Sequence, residues 1–307
     1  MEKSVRQTYL HFILVLARRL GSWVFPIMLW PVTTAFYVLF PGRVRNSVRV
    51  YRALYPDRSR LHAYRCAWRQ YHNFAALFQE RARLLSGTPV GQTADGDEHL
   101  NQALESGTGG IILMSHMGSW ESAAYLLPRK HPGMRLLLYM GIKHQEKIGA
   151  FIKEGLTRGG VRIIGVDPQG GSALDLIEGV HFLKAGGFVS IAGDRPWSGK
   201  ERTVAVEFLG HEVHLLEAPH MIALLSGAPL FVFFAFRTGQ GRYHFTVSAP
   251  MHVRAASRSD RREAVRRSAQ RYADILEQQL RQHPLQWWHF EAFLGRRTAR
   301  RLSTAGE

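Results

Sequence analysis

Short apolar runs alternate with helix-like segments through the middle of the chain. Apolar runs of strand length occupy residues 110–115, 135–139, 161–166 and 188–192. The first three are followed by segments with the spacing of amphipathic helices, at residues 119–127, 144–156 and 172–184. Strands that alternate with helices of about ten residues are typical of βαβ units, in which the strands pair in parallel. The pattern therefore predicts an α/β fold with a mostly parallel central sheet flanked by helices.

The pattern continues on both sides of this region. Residues 217–226 predict a helix, and the apolar runs 229–236 and 243–249 enclose RTGQGR, a loop typical of a β-hairpin. An amphipathic helix with an arginine-rich face is predicted over residues 260–282. Upstream, residues 44–84 have a helical pattern with a stripe of aromatic side chains, which we expect to pack against an apolar surface.

The N-terminal region contains 21 consecutive residues without a charge, from Leu20 to Phe40. As a helix this segment would be about 31 Å long, close to the thickness of a bilayer core. Pro26 and Pro31 interrupt helical hydrogen bonding and favour a kinked or re-entrant segment, so a single span, an interfacial hairpin and a buried helix all stay open. Because residues 41–60 carry six Lys or Arg and residues 1–19 carry four, we expect the chain after Phe40 to face the cytoplasm.

The charge and composition narrow the possible classes of protein. Forty Lys and Arg against 24 Asp and Glu give a formal net charge of +16, which predicts an anionic partner. The sequence lacks zinc-finger spacing and the interleaved aromatic and basic residues of RNA-binding strands, so it disfavours nucleic acid. An anionic membrane or an acidic protein fits better. Hydrophobic residues make up 46% of the chain, which excludes disorder, and the single cysteine, Cys66, excludes a disulfide framework.

Two polar clusters follow predicted strands, where open α/β sheets bind their ligands. Ser115 and His116 end the first apolar run, and Glu121 begins the next helix. A strand-turn-helix reversal can bring Glu121 to His116, and an imidazole held by a carboxylate can act as a general base on a hydroxyl group. Asp194 and Arg195 follow the strand at 188–192, where the guanidinium could bind a phosphate or an oxyanion.

Several stretches together resemble one family. The strand-His-x4-Glu-helix pattern is joined by AGDRPWSGKERTVAVEFLG at 192–210, LSGAPL at 225–230 and HPLQWWHF at 283–290. This combination is similar to the late acyltransferases of bacterial lipid A biosynthesis, the lauroyl and myristoyl transferases. Their wider relatives are the glycerolipid acyltransferases, which share the H-x4-D/E motif. The resemblance extends over almost the whole chain and includes an N-terminal membrane anchor.

The resemblance implies a glycerolipid-acyltransferase-like fold, with residues 1–42 as the membrane-anchoring segment and 43–307 as the acyltransferase domain. It implies transfer of a fatty acyl group from an acyl carrier protein, or from acyl-coenzyme A, to a hydroxyl of a lipid or glycolipid. The reaction would occur at the cytoplasmic face of the bacterial inner membrane, without a cofactor or a metal. His116 would be the catalytic base and Glu121 its partner. The arginine-rich residues 260–282, or 43–60, could dock the acidic carrier protein, and a solvated face that binds anionic lipid stays open as the alternative.

The sequence departs from the family pattern where the acceptor should bind. The arginine- and proline-rich segment of the family is replaced here by YMGIKHQEK, so Lys143 would have to serve, and the second acidic site reads GDRPW. We expect Ser115, Lys143, Asp194 and Arg195 to bind the substrates of a divergent member with another acceptor. A lipid-binding protein without turnover, a nucleic-acid-binding protein and a hydrolase stay open as alternatives.

Overall fold

Two units of different architecture make up the described part of the chain. The computed structural model describes residues 24–85, 88–141, 161–166, 173–196 and 201–298. By their contacts, the described residues up to Pro89 form one unit together with Trp288–Ala292. The described residues from Val90 to Trp287 form the other, together with those from Phe293 to Thr298. The division into a membrane-anchoring segment, 1–42, and an acyltransferase domain, 43–307, stays a prediction.

Helices form the first unit: α1 Val24–Leu39, α2 Pro41–Leu54 and α3 Arg60–Leu85. Helix α1 continues through Pro31, and the break comes at Phe40, whose φ of −114° and ψ of 61° leave the helical region. Proline disfavours helical dihedrals in the residue before it but fits the first position of a helix. The interruption that we predicted at Pro26 and Pro31 therefore lies at Pro41.

The aromatic stripe of α3 packs in part as its spacing predicts. The ring centroid of Trp68 lies 6.1 Å from that of Trp30 on α1. Farther along α3, Phe74 lies 5.6 Å from Trp288, centroid to centroid. Within the stripe Tyr71 is buried and Trp68 and Phe74 are partly buried, whereas Tyr64 is 44% exposed.

No helix among the described residues is by itself long and apolar enough to cross a membrane. The segments Ile27–Leu39 and Pro41–Leu54, bent by 89° at the break between them, meet the length and composition criteria only as a pair.

A seven-stranded sheet dominates the second unit, in the order β1-β9-β8-β2-β5-β3-β4. Every neighbouring pair is parallel except β8 and β9, which form the predicted antiparallel hairpin. The strands are β1 Gly91–Asp95, β2 Gly110–Met114, β3 Leu136–Gly141, β4 Arg162–Val166, β5 Phe188–Ala192, β8 Leu230–Gly239 and β9 Arg242–Val247. A separate antiparallel hairpin is formed by β6 Thr203–Phe208 and β7 His211–Leu216.

The helices of this unit are α4 Asp97–Glu105, α5 Trp120–Lys130, α6 Ala173–Lys184, α7 Ala218–Ser226 and α8 Arg261–Gln282. Strand β2 is buried along its whole length, and β5 from Phe188 to Ile191. Such burial is typical of central parallel strands with both faces covered. The predicted α/β fold with a mostly parallel sheet is confirmed. The helix predicted at 144–156 lies outside the described residues.

Candidate active site

The candidate site lies where β2 and β5 end side by side. These strands pair in parallel with Met114 opposite Ala192, and the Gly193 N–H donates a hydrogen bond of 2.9 Å to the Met114 carbonyl. Because the register continues past the strands, the next residues of the two segments also face each other. His116 and Asp194 are thereby brought together at the carboxyl ends of these strands, where α/β sheets bind ligands.

The imidazole of His116 is held by the carboxylate of Asp194. Nδ1 of His116 lies 2.8 Å from Asp194 Oδ1, and the His116 backbone N–H donates to Oδ2 at 2.9 Å. Asp194 is fully buried, whereas the His116 side chain keeps 18% of its surface exposed. Since an ionised carboxylate only accepts hydrogen bonds, Nδ1 carries the proton. The lone pair of the neutral ring is then on Nε2, which is the arrangement that a general base requires.

This contact brings a second carboxylate to His116, besides the one expected from the sequence. We predicted Glu121 as the carboxylate that orients His116, but Nδ1 of the ring is bonded to Asp194. Glu121 lies in the first turn of α5 and is partly exposed. The physical reason is the pairing of β2 with β5, which supplies a carboxylate from the next strand rather than from the following helix. A role for Glu121 in the site remains a proposal.

The turn between β2 and α5 depends on Gly118, which has a φ of +72°. A Cβ at this position would lie 2.3 Å from the Ala235 carbonyl oxygen, so a side chain would collide with the backbone of β8. The Gly118 N–H donates to the Gln286 carbonyl at 2.7 Å, and the Ser119 N–H donates to the Ala235 carbonyl at 2.6 Å. The turn that carries His116 is therefore fixed to β8 and to the segment after α8.

Gly193 has a similar steric role on the other side of the pair. A Cβ there would lie 2.8 Å from Leu113 Cδ1 and 3.0 Å from Tyr272 Cε1. Tyr272, on α8, is fully buried and its hydroxyl donates to the Met114 carbonyl at 2.8 Å. Burial, reinforced by the charge of Asp194, raises the pKa of Tyr272 well above its usual value. Tyr272 is therefore a neutral hydrogen-bond donor that fixes the end of β2.

The other predicted site residues have different surroundings. Ser115 is buried and its hydroxyl accepts the Met117 N–H at 3.2 Å, so it supports the turn. Arg195 is partly exposed and follows Asp194 directly, beyond the carboxyl end of β5. Lys143 lies outside the described residues. The assignment of these residues to substrate binding stays a prediction.

Trp287 is a neighbour of the pair that sequence reasoning did not assign to the site. Its indole Nε1–H donates to Asp194 Oδ2 at 3.0 Å, and the side chain is 1% exposed. The sequence signal was the HPLQWWHF ending, which we used to recognise the family without giving its tryptophans a role.

Within the described ranges, no three His, Cys, Asp or Glu side chains are grouped as metal ligands. His220, which lies close to His211 and His214 in the sequence, is fully buried, and its Nδ1 lies 2.8 Å from Ser268 Oγ. Burial lowers the pKa of His220 to about 4.

A cavity of about 480 Å³ lies at the amino-terminal ends of the central strands, between the end of α4 and the start of β8. His116 and Asp194 do not line it.

Comparison with known proteins bears on what this arrangement does. The model of the bacterial lipid A biosynthesis acyltransferase family matches residues 68–294. The chain belongs to this family. The matched region contains His116, Asp194 and Trp287. A search of curated proteins returned no match. As a family member, the chain is expected to use an acyl donor and a lipid acceptor, and its family assigns it to acyl transfer.

Proposed function

We propose that the chain is an O-acyltransferase that moves a fatty acyl group from a thioester to a hydroxyl of a lipid or glycolipid. The observation that carries the proposal is the contact between His116 Nδ1 and the buried carboxylate of Asp194 at 2.8 Å. This geometry leaves Nε2 as the basic nitrogen of a partly exposed ring. Family membership supplies the acyl-transfer chemistry in which such a base is needed.

In the proposed reaction, His116 Nε2 takes the proton of the acceptor hydroxyl as its oxygen attacks the thioester carbonyl. Asp194 stabilises the imidazolium that forms. Collapse of the tetrahedral intermediate breaks the carbon–sulfur bond, and the imidazolium returns the proton to the leaving thiolate. No covalent enzyme intermediate is required. In this proposal Arg195, directly after Asp194, stabilises the developing oxyanion or binds a phosphate of the acceptor.

The donor and the site of action are part of the same proposal. We infer that the donor is acyl carrier protein, an acidic protein that an exposed row of arginines would attract. Five arginines of α8 are exposed: Arg261, Arg262, Arg266, Arg267 and Arg271. Arg266 and Arg267 form ion pairs with Glu263. Acyl-coenzyme A is the alternative donor, and residues 43–60 are an alternative docking segment.

Membrane attachment is proposed from the surface of the helical unit. Ile27, Trp30, Val38 and Leu39 on α1 are 56–70% exposed, and Phe40 continues the apolar surface. The arginines of α2 are exposed beside it. An apolar surface next to basic side chains is suited to an anionic bilayer. We propose that the chain acts at the cytoplasmic face of the bacterial inner membrane, anchored through residues 1–42, with an acceptor that differs from that of typical relatives.

The test is His116→Ala in the full-length protein. Dodecanoyl-acyl carrier protein and dodecanoyl-coenzyme A serve as donors, with a hydroxyl-bearing lipid A precursor and a lipid extract of cells lacking the protein as acceptors. A positioned general base contributes about 10²–10⁴-fold, so we expect a loss of that size. His214→Ala is the matched control because His214 is an exposed histidine of β7.

Activity of His116→Ala within threefold of the parent would remove His116 as the base. Free dodecanoic acid as the main product, in place of acylated lipid, would indicate a hydrolase.

A further inference from the structure

Trp287 donates a hydrogen bond to Asp194, the carboxylate that holds His116. We propose that Trp287 is a positioning residue: its indole N–H fixes the Asp194 carboxylate in the orientation that holds His116. The inference rests on the proposed function, because it assigns Trp287 to the chemistry of that same pair.

The two oxygens of Asp194 have different partners. Oδ2 accepts the His116 backbone N–H at 2.9 Å and the Trp287 Nε1–H at 3.0 Å, whereas Oδ1 faces His116 Nδ1 at 2.8 Å. Two donors at fixed positions on Oδ2 set the rotation of the carboxylate, which in turn aims Oδ1 at the imidazole. Because Asp194 is fully buried, bulk water is not at hand to replace a lost donor.

The indole itself is rigidly held. Its ring packs against Phe208 and Phe293, with centroid distances of 5.5 Å and 5.0 Å. The backbone of Trp287 bridges to Met117 in the turn that carries His116. The preceding residue, Gln286, exchanges side-chain hydrogen bonds of 3.0 Å with the N–H and the carbonyl of Arg237 on β8. Because these contacts already fix the indole, its side chain loses little conformational entropy when it orients the carboxylate.

The chemistry of the contact explains why tryptophan is suited to the position. Indole Nε1–H is a donor only, so it can meet a carboxylate oxygen but cannot compete with Asp194 for the His116 proton. The adjacent Trp288 belongs to the helical unit, where its ring contacts Phe74. The two consecutive tryptophans thus have separate surroundings, which makes Trp288 a control for Trp287.

The first test is a double-mutant cycle on the full-length enzyme with the dodecanoyl donors. Trp287→Phe removes a hydrogen bond to a charged group, which is stronger than one between neutral groups. We therefore expect kcat to fall about 10- to 100-fold. The KM values for donor and acceptor should stay within twofold of the parent. If Trp287 acts through Asp194, adding Trp287→Phe to Asp194→Asn should lower kcat less than threefold further. A purely structural tryptophan would instead give multiplicative losses in the double variant.

The second test removes only the N–H and remains informative if Trp287→Phe does not fold. Replacing Trp287 with 3-benzothienylalanine exchanges the indole N–H for sulfur and keeps the ring size. We expect the same fall in kcat with a melting temperature close to the parent, whereas Trp288→Phe should keep the parental kcat. A parental kcat for the benzothienyl variant would overturn the inference. If His116→Ala were also fully active, the proposed function itself would fail, so the two failures are distinguishable.

Discussion

Asp194→Asn separates the two candidate carboxylate partners of His116, because it changes hydrogen-bonding character without changing shape. In the parent, Oδ2 accepts two N–H donors, from the His116 backbone and from Trp287. An asparagine that keeps both bonds must place its carbonyl oxygen at the Oδ2 position. Its NH₂ group then occupies the Oδ1 position and faces His116 Nδ1, which lay 2.8 Å from Oδ1.

An NH₂ group at that position forces Nδ1 to accept a hydrogen bond. The ring proton moves to Nε2, and this tautomer cannot take a proton from the acceptor hydroxyl. The same change in a Ser-His-Asp hydrolase costs about 10⁴ in kcat. Turning the amide over would restore the tautomer but would aim NH₂ at two N–H donors, at about 1–3 kcal/mol for each buried group left unsatisfied. We therefore expect Asp194→Asn to lower kcat by about 10²–10⁴.

The assay measures kcat and KM with radiolabelled dodecanoyl-acyl carrier protein and a hydroxyl-bearing lipid A precursor, and separates acylated lipid from free fatty acid. Glu121→Gln is the comparison, for which we expect less than a tenfold loss, since Nδ1 is bonded to Asp194. Thermal unfolding of each purified variant checks that it is folded. The reasoning is refuted if Asp194→Asn keeps more than a tenth of the parental kcat, and a hundredfold loss in Glu121→Gln would transfer the orienting role to Glu121.

Two further predictions concern stability and membrane binding. His220 has a folded pKa of about 4 because of burial, against 6.5 when unfolded, so the unfolded chain binds the proton more tightly. Its contribution to stability is therefore complete above pH 6.5 and falls by about 2–3 kcal/mol as the pH approaches 4.5. Urea unfolding at pH 7.5 and 4.5 should show that the parent loses this much more than His220→Asn; equal losses would contradict the assignment. Val38 and Leu39 are 67% and 70% exposed, and burying such side chains in lipid contributes about 1–2 kcal/mol each. Replacing both with serine should lower flotation with phosphatidylglycerol-containing vesicles at least tenfold, whereas the exposed Leu225→Ser control on α7 should float like the parent.

The fold was predictable where burial leaves a mark on the sequence. Central strands such as β2 and β5 are covered on both faces, so they read as continuous apolar runs. The edge strand β1 has the sequence GQTAD and is largely exposed, so no apolar run indicates it. The family stretch at 192–210 includes β6 but ends before β7, and the sequence pattern predicts neither as a strand. Phe40 illustrates a different limit: the helix break depends on the residue before Pro41, while α1 accommodates Pro31.

The candidate site was only half predictable, and strand order is the reason. His116 stands out in sequence because it follows an apolar strand and precedes a helix with Glu121 in its first turn. A local motif can propose only local partners, whereas Asp194 is 78 residues away and Trp287 a further 93. Between β2 and β5 the chain forms β3 and β4, yet these pair on the far side of β5 and leave β2 next to β5. Once that order is known, the pairing of Met114 with Ala192 places His116 beside Asp194, because residues two positions beyond paired strand ends remain neighbours. In a parallel sheet, catalytic partners should therefore be sought at the ends of spatially adjacent strands before nearby positions in the sequence.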